Sequence, residues 1–269
     1  MGDLSITALY TSQAWVWGGF PCAELLATPD GKRVFDATNA ALWLARSEAR
    51  GHSPLRQALV HRHAMIDRLL RESGATQVLE LAAGLSQRGA AVSADPRIAY
   101  TELDLAPVAD KKRALLARTD AGRAVLARPN WRIEGADVAT ALLADWVTPG
   151  PRFVIAEGLL MYLDAAAQRA LFAKLAALGD VTFVFDLVPV SEQPAPGLAG
   201  RALGRAMRAF TGGKGFTRDP RTRADLLAEL RAAGFARATV TAAIDVARDW
   251  DLPHPEARTD TLVFTAYRP

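Results

Sequence analysis

Apolar positions along the chain follow two alternating periods. From Pro54 to Ser73, the residues Leu55, Leu59, Ile66, Leu69 and Leu70 share roughly one face at helical spacing, and Gly74 ends the run. Gln77-Val-Leu-Glu-Leu-Ala-Ala83 then reads as a short strand, followed by Gly84. Ile98 to Leu103 predicts a second strand, Ala106 to Ala117 a helix, and Trp131 to Ile133 a short third strand. Arg152-Phe-Val-Ile-Ala156 carries four apolar residues in a row, as expected where both faces of a strand are covered. Asp164 caps a helix running to about Leu178, and Val181-Thr-Phe-Val-Phe185 is another buried strand. Pro220 opens a helix that Gly234 closes. Ala238 to Ile244 and Thr261 to Tyr267 are two late strands with no useful helical pattern between them, so they can pair antiparallel at the sheet edge. Strands alternating with helices in this way predict an α/β fold: a doubly wound, mostly parallel sheet of about seven strands, Rossmann-like in architecture.

Two segments break the alternation. Residues 1–53 precede the first strand and read as an N-terminal cap region on a domain spanning 54–269. Residues 187–219 are rich in proline and glycine, with an apolar helical stretch near 198–210. They lie past the carboxyl end of a strand, where open α/β sheets bind ligands, so a helical lid is expected there.

Composition adds exclusions. The 269 residues are 50% hydrophobic and 23% charged, ordinary for a soluble globular protein and unlike a collagen or a coiled coil. A net charge of +3 is too small to argue for nucleic acid. No apolar stretch is long enough to span a bilayer, and the N-terminus shows no basic region followed by an apolar run. Cys22 is the only cysteine, so no disulfide staples the chain and a cytoplasmic location is expected.

The sharpest chemical signal is at the first strand. Val78-Leu-Glu-Leu-Ala-Ala-Gly-Leu-Ser-Gln-Arg-Gly89 places an acid, Glu80, before a turn with small residues at every second position: Ala82, Gly84 and Ser86. Small side chains let a ligand lie against the backbone. The glycines are too few for a pyrophosphate-binding fingerprint, and the acid would repel an anion. It suits a cation, such as the sulfonium and ammonium of S-adenosylmethionine. The second strand ends in Glu102-Leu-Asp104, where a carboxylate can accept ribose hydroxyls. Gly135-Ala-Asp137-Val138 offers a third acid, which could accept from an adenine amino group. The fourth strand runs into Glu157, a carboxylate costly to bury without a partner.

With these pieces together, the sequence resembles the leucine carboxyl methyltransferase family, which includes polyketide carboxyl O-methyltransferases and a tRNA wybutosine-modifying branch. The resemblance covers roughly residues 55 to 235. It rests on Ala156-Glu-Gly-Leu-Leu-Met-Tyr-Leu163, on Glu102-Leu-Asp-Leu with Lys111-Lys-Arg113, and on Arg62-His-Ala-Met-Ile-Asp67. It implies an S-adenosylmethionine-dependent O-methyltransferase, with Arg62 on the methionyl carboxylate and the Ala82–Gly84 turn against the methionyl part. By the same resemblance Asp104 holds the ribose, Asp137 and Val138 the adenine, and Glu157 lines the methionine end. The family's usual Gly-Ala-Gly-x-Asp-Thr-Arg appears here as Ala82-Ala-Gly-Leu-Ser-Gln-Arg88, a divergent turn with one extra methyl.

Methyl transfer to a carboxylate needs no general base, because a group with pKa about 4 is ionised at neutral pH. A phenol, pKa about 10, would want one. Glu157 and Tyr162 are the candidates nearest the reacting end. His61 and His63 are two apart on the predicted helix, so they face different sides, and a surface position is expected for at least one. No metal site is expected. Lys214, Arg218, Arg221 and Arg223 cluster beside the expected lid, and arginine forks match carboxylates. Lys214 and Arg218 are therefore expected to grip an acidic small-molecule acceptor, of the kind found in secondary metabolism, with Trp15 as an aromatic wall. The alternatives are a protein C-terminal carboxyl methyltransferase, a nicotinamide-dependent oxidoreductase, and a non-catalytic module that binds the cofactor.

Overall fold

The computed structural model describes residues 6–44, 54–192 and 220–269. Three short parallel strands, β1 (Gln77–Leu81), β2 (Ala99–Asp104) and β3 (Trp131–Gly135), lie on one side of the sheet. β4 (Arg152–Ala156) and β5 (Val181–Asp186) extend it on the other side of β1. The order is β3-β2-β1-β4-β5-β7-β6, with β6 (Arg237–Ala242) and β7 (Leu262–Arg268) completing seven strands. The antiparallel strand is β7, inserted between β5 and the edge strand β6. The strand expected to reach Ile244 ends at Ala242. Ala243 is buried and the exposed Ile244 begins no further alternation, so the chain turns into a short helix, Ala243–Val246.

Alternation along the strands sorts side chains between two cores. Leu79, Leu81, Val154, Phe183 and Phe185 face helices α7 (Ala165–Ala176) and α8 (Arg223–Ala232), through Phe172, Leu226 and Leu230. Val78, Phe153, Ile155 and Val184 face the opposite layer, where Met65 and Ile66 of α3 (Leu55–Ser73) pack. α5 (Ala106–Leu116) and α6 (Asp120–Leu126) cover the β2–β3 side. The signal for α6 is the Thr119 cap, whose hydroxyl accepts from Gly122 N.

The N-terminal region forms two helices, α1 (Ile6–Trp17) and α2 (Pro29–Leu44), packed on each other around Tyr10, Ala14, Trp15 and Phe35. α1 also packs on α3. The turn after β1 leads into one short helix, α4 (Arg88–Val92). Most of the expected lid, including its 198–210 stretch and also Lys214 and Arg218, lies outside the described residues. Among the described residues no helix is long and apolar enough to cross a membrane.

Candidate active site

The strand order reverses between β1 and β4, the position at which open α/β sheets leave a crevice outside their carboxyl ends. The register brings carboxylates there. Glu80 lies opposite Glu102 on one side and Ile155 on the other, so all three share a face. One step beyond the Ala156–Phe185 pair, β4 and β5 end side by side in Glu157 and Asp186. Asp104 ends β2 at a similar height, with the β1 turn between them.

That turn is strained and open. Ala82 has φ +53° and Gly84 φ +54°. A left-handed residue with a Cβ costs roughly 1–2 kcal/mol, which the first glycine of the usual family motif would avoid. At Gly84 an added Cβ would meet nothing within 4 Å, so space remains beside the backbone. Asp104 ties the turn to β2. Its Oδ2 accepts from Gly84 N at 2.6 Å and its Oδ1 from Leu105 N at 2.7 Å, leaving lone pairs for a further donor. Burial raises the pKa of Asp104, against these two N–H bonds that lower it.

Beneath the rim lies a buried ionic network. Arg62 donates from Nε to Glu157 Oε1 at 2.9 Å and from Nη1 to Asp186 Oδ2 at 3.0 Å. Arg88, 1% exposed, donates to Asp67 and Glu80 at 2.5 Å each and to Glu157 Oε2 at 2.7 Å. Tyr100 hydroxyl donates to the other oxygen of Glu80 at 2.7 Å. His63 Nδ1 lies 2.9 Å from Glu157 Oε2, and Gln87 Nε2 lies 2.8 Å from His63 Nε2. Arg88 Nη2 also lies 2.8 Å from His63 Nδ1, so the ring is enclosed by Glu157, Arg88 and Gln87. Burial pushes the Glu157 carboxyl up, but its neighbours His63, Arg88 and Arg62 together hold it well below the usual range. Arg62 and Arg88 thus face four carboxylates: Asp67, Glu80, Glu157 and Asp186. This excess of negative charge favours a cationic ligand in the crevice above.

The expected site residues separate into groups. Arg62, Ala82, Gly84, Asp104 and Glu157 come together around the crevice. Glu80 is turned into the network beneath it and is spent on Arg88 and Tyr100. Asp137 is exposed and caps the turn after β3 by accepting from Ala139 N at 2.9 Å, while Val138 packs on the core. Tyr162 is half-buried, and its hydroxyl bonds to Thr7 of α1; burial raises its pKa. Trp15 is 3% exposed and stacks on the His63 ring at 4.2 Å, so its indole is packed against the network. Arg221 is held by Glu229 and Gln168, and Arg223 by Glu192.

The expectation of a surface histidine is corrected. His61 and His63 do face different sides, but both are fully buried, because α3 is enclosed on more than its apolar stripe. His61 instead contacts Thr259 Oγ1 and Pro253 O, each at 2.9 Å. Sequence reasoning also missed Asp186 and Arg88 as partners. The acid ending an apolar strand beside Glu157 was the available signal for the first, and the intact arginine of the turn motif for the second.

A family model described as leucine carboxyl methyltransferase matches residues 20–176, more than half of the chain. The chain belongs to the leucine carboxyl methyltransferase family. The match begins nearer the N-terminus than the motif resemblance and ends before the second half of the sheet is complete. A relative from Mycolicibacterium paratuberculosis, named as a candidate S-adenosyl-L-methionine-dependent methyltransferase, is 37% identical over 45% of this chain and 42% of its own. The match therefore spans less than half of that relative's length. Among solved structures, a candidate methyltransferase from Thermobifida fusca superposes with TM-score 0.58 and 17% identity, covering 97% of this chain and 94% of that one. A candidate O-methyltransferase from Nostoc punctiforme gives 0.53 and 15%, covering 98% and 72%. Both share the fold of this family member.

Proposed function

We propose that this chain is an S-adenosylmethionine-dependent O-methyltransferase that methylates a carboxylate, or a phenol, of an acidic small molecule. The observation that carries the reading is the crevice at the strand-order reversal. It combines an open turn at Gly84, a tethered carboxylate at Asp104, and Arg62 held beside Glu157 above an anionic network. These residues fit the cofactor: a place for ribose hydroxyls, a guanidinium for a carboxylate, and a negative field for a sulfonium. Family membership and the name of the mycobacterial relative support the same reading.

When bound, S-adenosylmethionine supplies an electrophilic methyl group. The chain's own part is positioning. Asp104 accepts from the ribose, Arg62 orients the methionyl carboxylate, and the Ala82–Gly84 turn lets the backbone approach the ligand. Tyr162 and its Thr7 contact carry α1 across to the loop after β4, where it can keep water from the reacting end. A carboxylate acceptor needs only alignment and desolvation. We assign no nucleic-acid or membrane partner, and a reducing cytoplasm suits the single cysteine.

Calorimetry with S-adenosylmethionine and with NAD tests the first half: the former should bind and the latter should not. Mass spectrometry of source extracts incubated with the protein and methyl-labelled cofactor tests the second, and the label should appear as a small-molecule ester or ether. Label on a protein C-terminus would replace the acceptor assignment, and binding without transfer would leave a non-catalytic module. Binding of NAD alone would refute the proposal.

A further inference from the structure

The Arg62 guanidinium is fixed at two of its three nitrogens. Glu157, from the end of β4, takes Nε at 2.9 Å. Asp186, the last residue of β5, takes Nη1 at 3.0 Å. One contact at Nε would leave the fork free to swing about the Cδ–Nε bond, and the second removes that freedom. The other Asp186 oxygen accepts from Gly158 N at 2.6 Å. Gly158 has φ +68°, and a Cβ there would lie 3.4 Å from both Nη1 and Nη2, so the guanidinium rests on a backbone that Asp186 itself holds in place. Nη2 takes no hydrogen bond among the described residues, and Arg62 retains 9% exposure.

We propose that Asp186 is a positioning residue, which aims the free Nη2 edge of Arg62 at the carboxylate of the amino-acid end of the cofactor. The assignment rests on the proposed cofactor reading. Asp186 touches no ligand in this scheme and acts only through Arg62. Its effect therefore depends on whether the ligand carries a carboxylate, which a merely structural role would not.

The test compares S-adenosylmethionine with decarboxylated S-adenosylmethionine, which keeps the nucleoside, sulfonium and ammonium. Calorimetry is run on the full chain, Asp186→Asn and Asp186→Glu. A charge-assisted hydrogen bond corresponds to roughly 10- to 100-fold in affinity, so wild type should prefer the intact cofactor by about that factor. Asp186→Asn keeps the shape but cannot accept from both Arg62 and Gly158. It should weaken S-adenosylmethionine about tenfold or more and the decarboxylated ligand less than about twofold. Asp186→Glu displaces the guanidinium by one methylene and should narrow the preference in the same sense. Equal losses for the two ligands, or no loss in either variant, would overturn the proposal. Failure of both variants to fold would also overturn it, by assigning Asp186 to the fold. Wild type that binds neither ligand would instead sink the cofactor reading, and this inference with it.

Discussion

Gly89→Ala is an addition of one methyl to a helix, and helix propensity alone would make it stabilising by about 1 kcal/mol. The structure gives the opposite sign. Gly89 is the second residue of α4, and a Cβ there would fall inside contact distance of Glu102 Oε1 and Trp131 Nε1, and 2.8 Å from Trp131 Cε2. None of these can move cheaply. Glu102 and Lys112 form an ion pair in which both side chains are 1% exposed, and Trp131 Nε1 donates to Glu102 at 3.2 Å. Either α4 shifts outward, at about 1–3 kcal/mol for overpacking, or the buried pair is disrupted, at about 3–5 kcal/mol. Subtracting the propensity gain of about 1 kcal/mol leaves a net loss of up to about 4 kcal/mol. For a chain of this size the upper figure lowers Tm by roughly 8–16 °C, at about 2–4 °C per kcal/mol. Urea unfolding followed by circular dichroism measures it directly. A variant more stable than wild type would show that the Glu102–Lys112–Trp131 cluster has slack that the packing denies.

Three further outcomes follow from particular contacts. Tyr100→Phe removes the hydroxyl that donates to buried Glu80 and should cost about 1–3 kcal/mol in urea unfolding, with no effect expected from loss of volume. Burial lowers the pKa of His61, so the unfolded chain binds its proton first as pH falls through about 6.5. Stability should therefore drop between pH 7 and pH 5.5 more steeply in wild type than in His61→Gln, read as Tm at each pH; parallel profiles would contradict this. Ala82→Gly relieves a left-handed alanine, at roughly 1–2 kcal/mol, against about 0.4–1 kcal/mol of added freedom in the unfolded chain. It should raise stability slightly and tighten S-adenosylmethionine binding, and weaker binding would show that the methyl contacts the ligand.

The strand and helix periods of residues 54–186 and 220–268 were enough to place all seven strands to within a few residues, because buried strands leave long apolar runs and capped helices leave Thr, Asp and Gly at their ends. The two N-terminal helices were not legible, since aromatic and polar residues there pack against α3 and against each other without a clean apolar stripe. Asp104 and Glu157 stood out in sequence because an acid at the end of an apolar strand is costly without a purpose, and each does sit at the crevice. Asp186 carried the same signal and was missed. Nothing in sequence distance brings residue 186 to residue 62.

What the sequence determined by itself was the wound sheet, the family motifs and the run of acids at strand ends, all of which depend on neighbours a few positions apart. Only the tertiary structure decided what those charges do. Register placed Glu80 beneath the rim, where Arg88 and Tyr100 claim it, and set Glu157 and Asp186 side by side to grip one guanidinium. Enclosure of α3 beneath Trp15 and against residues 253–259 turned two histidines from expected surface into buried contacts. Burial and charge pairing depend on which distant segments meet, and a local pattern of residue types does not contain that information.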